Sequence, residues 1–333
     1  MRGSIIGDII GSTHEFANRV SSKEFELFPY GSTFTDDSVL TIAVYDSLKN
    51  KIPLEKSFMN WIEKYPDRGY GGMFFKWILS RKKEPYGSKG NGAAMRVSSV
   101  GWLYDTEEDV LREAKRVSEI THNHIEGIET AQAVAMCIYL GRNKKSKEEI
   151  REYIEERFKY DLSKTYEEVR RDYVRSELGI DTVPQSIICF LDSNSFEDSI
   201  RNAVYLNGDA DTLAAITGSI SEAYYGLDEE LWDRARVHLP NDMLALLGEE
   251  VDYINRFGIL LEDVLISRRR ALKKGSVSFT KEYICPKCGN RDLEEFYASN
   301  SDECWRDLCG VGGMCIFCNI CMNIVEFEEI ERS

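Results

Sequence analysis

The sequence predicts an all-α domain followed by a small β domain of the zinc-ribbon kind. Three observations carry that expectation. Apolar residues recur at helical spacing through the first 270 residues. Alternating β-branched stretches are scarce before residue 277. Seven of the nine cysteines crowd between Cys285 and Cys321. The boundary is placed between residues 270 and 271, where Arg268-Arg269-Arg270 and Lys273-Lys274 surround a break in the pattern. Gly275-Ser276 and a strand-like run over 277–284 follow.

The helical stripes come in order along the chain. Val39-Leu40, Ala43-Val44 and Leu48 form the first, and Ile128, Ala131, Ala135 and Ile138 a second. Leu213, Ile216, Ile220 and Tyr224 form a third. Ala214, Ala215, Gly218 and Ser219 are small enough to let a neighbouring helix approach closely. Loop signals mark 66–72, 85–92 and Asn207-Gly208. The highly charged stretch 144–177, with Ile150, Tyr153, Ile154 and Phe158 on one stripe, reads as a solvated peripheral insertion.

Composition narrows the function. The chain is 43% hydrophobic and 30% charged, which supports a packed core rather than global disorder. A formal charge of -15 opposes nonspecific binding to nucleic acid or to an anionic membrane. The opening MRGSIIGDIIGSTHEF is interrupted by Asp8 and makes a poor export signal. No uninterrupted apolar run reaches the roughly 20 residues of a membrane span. A cytoplasmic location is expected.

Two acidic segments hold the candidate chemistry. Thr35-Asp36-Asp37 and Asp209-Ala210-Asp211-Thr212 each precede an apolar-periodic helix. Either could be an ordinary helix cap, with its acids favoured by the helix dipole. Read together, each supplies two carboxylates and a hydroxyl, hard ligands suited to Mg²⁺ or Mn²⁺. If they meet, two cations would relieve the mutual repulsion and could orient a substrate or activate water. Asp8 and Glu15, seven apart, are expected on one face of a first helix, as a solvated pair or with Glu15 as an acid/base group.

The loops give weaker signals. Arg68-Gly69-Tyr70-Gly71-Gly72 is small and flexible. The run from Gly87 to Arg96 opens a helix with glycines that permit close backbone approach, as at a phosphate. Thr121-His122-Asn123-His124 precedes another helix. It reads as a capping threonine with solvated histidines, or as an H-x-H pair lacking a nearby third ligand.

GDIIGSTHE, FTDDSVLT, RGYGGMF, GNGAAMR, THNHIEG and NGDADTLAAITGSISEAYYG occur in this order. In these motifs the chain resembles the ADP-ribosylglycohydrolases over roughly residues 1–260. The resemblance implies a helical fold with a binuclear Mg²⁺ or Mn²⁺ centre. It implies hydrolysis of the glycosidic bond between ADP-ribose and an ADP-ribosylated acceptor. Thr35, Asp36, Asp37, Asp209, Asp211 and Thr212 would ligate the metals, and Asp36, Asp37 and Asp211 would serve catalysis with Glu15. Gly87, Ser88, Gly90 and Asn91 would cradle the diphosphate and distal ribose, and His122 would contact the ligand. Tyr70, Gly71 and Gly72 would line the acceptor side. Two positions depart from the family pattern. Asn207 replaces the first of two glycines, and Asn tolerates positive φ. Lys89 stands where some relatives carry an aromatic against adenine, and a lysine suits a phosphate. A second reading is a non-catalytic ADP-ribose-binding protein, and a third is a hydrolase of another ADP-ribose derivative.

Cys285-x-x-Cys288 and Cys318-x-x-Cys321 form two thiolate knuckles flanked by strand-like runs at 277–284 and 323–327. That spacing predicts one structural Zn²⁺ in a closed tetrahedral site, which would help a short segment fold. Cys315 overlaps the second knuckle, so the fourth ligand has two candidates. The ribbon is a candidate surface for a protein partner.

Overall fold

The computed structural model describes residues 1–15 and 19–249, and the main chain of three strands beyond them. The chain divides into two compact units, Met1–Val251 and Asp252–Ser333. The described part of the first is helical. It contains α1 (Arg2–Gly11), α2 (Asp36–Asn50), α3 (Leu54–Lys64), α4 (Gly72–Leu79) and α5 (Gly92–Met95). Then come α6 (Ser98–Leu103), α7 (Glu107–Glu119), α8 (Ile125–Arg142), α9 (Lys147–Phe158) and α10 (Tyr166–Asp172). Last are α11 (Gly179–Leu191), α12 (Phe196–Tyr205), α13 (Ala210–Tyr225), α14 (Glu229–Arg236) and α15 (Asn241–Leu246). The three sequence stripes fall on α2, α8 and α13. Among the described residues, no helix is long and apolar enough to cross a membrane.

Helices α1, α8 and α13 are buried nearly all round and form the centre. The sequence dictates how closely two of them pack. Gly3, Gly7 and Gly11 recur every four residues and line one face of α1. A Cβ on Gly7 would sit 2.0 Å from the carbonyl oxygen of Ala214. On Gly3 it would lie 2.3 Å from the Gly218 oxygen, and on Gly11 2.4 Å from the Ala210 oxygen. The small residues expected to permit close approach in α13 thus meet a glycine face, main chain against main chain.

The charged segment behaves only in part as a peripheral insertion. Ser146 and Glu149 form a capping box at the start of α9, whose Ile150, Ile154 and Phe158 are buried. Its far end reaches inward instead. Gly90 and Leu178 form an isolated antiparallel bridge. The Asn91 amide donates to the Glu177 carbonyl, and the Gly179 amide to that of Lys89, both at 2.9 Å. The segment therefore supplies one wall of the cavity described below.

In the second unit, β1 (Phe296–Ser299), β2 (Gly313–Cys318) and β3 (Asn323–Glu329) form an antiparallel sheet in that order. Its register shifts between Ile316 and Phe317. The strand expected at 323–327 lies within β3. The run at 277–284 and Cys285, Cys288 and Cys321 lie outside the described residues, and only the main chain of Cys318 is described.

The glycine face yields a stability prediction. Gly7→Ala forces α1 from α13 and should cost about 3 kcal/mol, read as a lower urea midpoint. Gly71→Ala, where a Cβ would meet nothing within 4 Å, should move the midpoint little. Equal midpoints for the two variants would refute the close approach.

Candidate active site

The site is built on the buried ends of α1, α2 and α13. Asp8 sits inside the apolar run of α1 and is fully buried. Its carboxylate accepts from the Thr35 amide at 2.9 Å, the Thr35 hydroxyl at 2.7 Å and the Ser38 amide at 3.1 Å. The Ser38 hydroxyl donates to it as well. Four donors from the first turn of α2 thus converge on one carboxylate. Burial pushes the Asp8 pKa up, and these hydrogen bonds oppose that shift. The expectation that Asp8 and Glu15 share a helix face is not met. Helix α1 ends at Gly11, and Glu15 follows in the turn beyond it.

Thr35 is the N-cap of α2 and accepts the Asp37 amide at 3.2 Å. Its hydroxyl hydrogen goes to Asp8, which leaves one oxygen lone pair. Asp209 occupies the corresponding position before α13 but makes no side-chain cap bond. Its carboxylate instead accepts from Asn91 Nδ2 at 2.6 Å. The cap reading therefore holds for Thr35 and fails for Asp209.

The two acidic segments meet. Thr212 Oγ1 donates to Asp37 Oδ2 at 3.2 Å, and Asp211 Oδ1 accepts the Thr212 amide at 2.9 Å. One oxygen each from Glu15, Asp209 and Asp211 lies within 4.8 Å of the others. Asp37 Oδ1 is buried with no hydrogen-bond partner. A buried carboxylate oxygen without a donor is costly, and a cation would satisfy it.

Every carboxyl in the cluster is pushed upward. Burial is the largest cause throughout. Asp8 adds to it at Asp36, which rises to about 8, and Asp211 adds to it at Asp37. Asp209 adds to it at Asp211 and at Glu15, which rises to about 7. The Asp209 pKa is also raised by burial, against the Asn91 hydrogen bond. The protein holds these acids together against their mutual repulsion, an arrangement that divalent cations would stabilise. The donor set is oxygen only, which fits Mg²⁺ or Mn²⁺.

Arg175, on the far end of the charged segment, holds Glu15. It donates to Glu15 Oε1 and to the Glu15 carbonyl, each at 3.1 Å, and pairs with Glu177 at 3.5 Å.

Glu15, Asp36, Asp37, Asp209, Asp211 and Thr212 floor a cavity of about 750 Å³. One wall is the run from Tyr86 to Gly92 with His122. Another runs from Arg68 through Gly71 and Gly72 to Phe74, and Glu177 and Leu178 close a third side. Tyr70 is not on the lining. Its hydroxyl donates to the Tyr65 carbonyl at 2.7 Å. The glycine loop presents few free amides. The Gly87, Gly90 and Asn91 N–H groups donate to Asn123 Oδ1, Ser88 Oγ and the Glu177 carbonyl. Lys89 Nζ reaches Glu126 at 3.0 Å.

The four residues 121–124 have separate roles. Arg96 Nη2 donates to Thr121 Oγ1 at 2.7 Å, and that hydroxyl lies 2.7 Å from His122 Nδ1. An arginine only donates, so the Thr121 hydrogen is available to Nδ1. His122 is buried, and desolvation together with Arg96 pushes its pKa well down. Its Nε2 edge lies beside Gly90 and Gly92. Asn123 braces the glycine loop. His124 caps α8 by accepting the Glu126 amide.

Sequence reasoning gave no role to Arg68, Arg96, Arg175 and Glu177; it put Asp8 on the first helix, but the solvated-pair reading fails because Asp8 is buried. For Asp8 a signal existed, since a lone charge in the middle of IIGDIIG must find partners. Arg175 gave no local signal.

A family model described as ADP-ribosylglycohydrolase matches residues 1–273. ADP-ribosylhydrolase ARH3 of Homo sapiens is 29% identical over 71% of this chain and 87% of its own length. The ADP-ribosyl-[dinitrogen reductase] glycohydrolase of Rhodospirillum rubrum is 26% identical over 75% of this chain and 89% of its own. A solved chain described as an ADP-ribosylglycohydrolase-related protein complex shares the fold. It superposes with a TM-score of 0.60 at 24% identity, covering 73% of this chain and 92% of that one. With a family match over most of its length, a shared helical fold and an acidic cluster suited to metal, this chain belongs to the ADP-ribosylglycohydrolase family.

Proposed function

We propose that this protein is a metal-dependent hydrolase that cleaves the glycosidic bond between ADP-ribose and an ADP-ribosylated acceptor. One observation carries the proposal. Thr35-Asp36-Asp37 and Asp209-Ala210-Asp211-Thr212 converge, through the Thr212–Asp37 hydrogen bond and beside Glu15, on the floor of one cavity. Thr35, Asp36, Asp37, Asp209, Asp211 and Thr212 would hold two Mg²⁺ or Mn²⁺ ions. When bound, such ions would supply positive charge to orient a ribose and stabilise a polarised transition state.

The chain's own groups do the rest. The acidic floor favours positive charge developing at an anomeric carbon. Glu15, held by Arg175, would be the acid/base group. The Nε2 edge of His122 would meet the ligand beside Gly90. Ser88 and Lys89, on a loop whose amides are largely engaged, offer a hydroxyl and an amine to a diphosphate. Gly71 and Gly72 leave open space on the acceptor side. The proposal of one structural Zn²⁺ on Cys285, Cys288, Cys318 and Cys321, with a partner-binding role, rests on their spacing. Zinc analysis of the purified chain tests it, and a zinc content near zero would overturn it.

Incubation with Mg²⁺ and a panel of ADP-ribosylated acceptors should release ADP-ribose. Asp36→Ala and Asp211→Ala should lower turnover at least about 100-fold. Tight ADP-ribose binding without release of any acceptor would replace the enzyme reading with a binding one.

The raised carboxyl pKa values set the sign of a second test. In metal-free protein, Asp37→Asn and Asp211→Asn each remove a buried repelling charge while keeping their acceptor oxygens, so Tm should rise. Saturating Mn²⁺, at about 100 times its Kd, should stabilise the unmodified protein by about 2.7 kcal/mol. The same addition should leave both variants nearly unmoved. A metal response retained by both would remove these carboxylates from the ligand set.

A further inference from the structure

We propose that the exposed ridge of α4 docks the acceptor protein and selects a segment rich in acidic residues with an apolar side chain close to the modified position. This inference rests on the hydrolase reading and adds what that reading lacks, a determinant of acceptor choice outside the cavity.

The ridge follows from the spacing of α4. Phe74, Trp77 and Ile78 turn inward and are buried, with the Phe74 and Trp77 rings stacked at 5.7 Å. That leaves Phe75 and Leu79, one helical turn apart, 44% and 70% exposed. Met73, 55% exposed, joins Gly71 and Gly72 in the cavity lining. The helix that carries the ridge therefore starts at the site. Along the same stretch of chain, the Asp36 amide donates to the Arg68 carbonyl at 2.8 Å. A Cβ on Gly69 would lie 3.4 Å from Asp36 Oδ1, so only a few residues separate the acidic floor from the ridge.

Charge gives the partner its sign. From Gly71 to Lys83 there is no acidic residue. Lys76, Arg81 and Lys82 are exposed and form no ion pair among the described residues. Lys83 is excluded from this set because it donates to the Trp77, Ile78 and Ser80 carbonyls at the end of α4. In a chain of formal charge -15, three exposed basic side chains without ion pairs, on and just after a helix with exposed apolar side chains, are complementary to an acidic, partly apolar segment. A single-stranded nucleic acid fits less well. It needs successive aromatic platforms, and the ridge offers one ring, Phe75, beside Leu79 and Met73.

The test uses the full chain and four probes. Two are peptides with the same ADP-ribosylated residue, one flanked by Glu and Leu and the other by Lys and Leu. The third is the same residue ADP-ribosylated as the free amino acid, and the fourth is a single-stranded oligonucleotide as competitor. At low salt, kcat/KM for the Glu-flanked peptide should exceed that for the Lys-flanked one by about tenfold or more, since three rim charges contribute a few-fold each. The gap should close near 0.5 M salt, where screening acts over a few ångströms. The K76E/R81E/K82E variant should reverse the preference. The F75A/L79A variant should slow both peptides several-fold. All variants should cleave the free amino acid conjugate at the unmodified rate, which also shows that they fold. Equal rates on the two peptides, or an oligonucleotide that competes better than the Glu-flanked peptide, would overturn the proposal. If no conjugate is cleaved, the hydrolase reading fails separately. The ridge is then judged by the anisotropy of the labelled peptides, where equal affinities, or a preference unchanged by K76E/R81E/K82E, would overturn it.

Discussion

The contact on which the rest of the site depends is the main-chain approach of α1 to α13. Gly3, Gly7 and Gly11 leave no side chain between the helices, and a Cβ on Gly11 would lie 2.5 Å from the Cα of Asp211. One end of the glycine face therefore abuts a proposed ligand directly. On the same helix, Asp8 accepts four donors from the first turn of α2 and fixes where Asp36 and Asp37 begin. Position thus passes from α1 to both acidic segments, once by backbone contact and once through a buried carboxylate.

That arrangement opposes electrostatics. Burial and mutual repulsion raise the carboxyl pKa values throughout the cluster, and Asp37 keeps an oxygen without a partner. A protein optimised for stability alone would not gather these acids in its core. The helical core must supply the stability that opposes the repulsion, which fits the near-complete burial of α1, α8 and α13. Arg175, clamped to both the carbonyl and the carboxylate of Glu15, fixes a turn that is not part of any helix.

Helical periodicity was legible because each stripe is local. The cores of α2, α8 and α13 lie where Val39, Ile128 and Leu213 begin their repeats. The turn at Asn207 was legible for the same reason, but not its pairing with Val20. Asn207 takes φ of 59°, and its amide group bonds both the N–H and the carbonyl of Val20, so asparagine serves the turn and a brace together. Long-range pairings were not legible. Arg175 acts on a residue 160 positions away, and nothing near it in sequence announces that contact. The ring of Tyr70 packs beside Phe74, a contact between side chains four residues apart, while its neighbours Gly71 and Gly72 line the cavity. Asp8 and Glu15 misled because the spacing of seven assumed a helix that stops at Gly11. The cysteine knuckles rest on spacing alone.

The glycine face also separates what can vary from what cannot. Distances set by two main chains in contact do not respond to changes in surrounding side chains, so the floor has a fixed ruler. The loops and the α4 ridge are attached to that floor through a few hydrogen bonds and rings. Rim residues can change without moving the floor. A substitution in α1 that seems conservative, glycine to alanine, would move the floor itself.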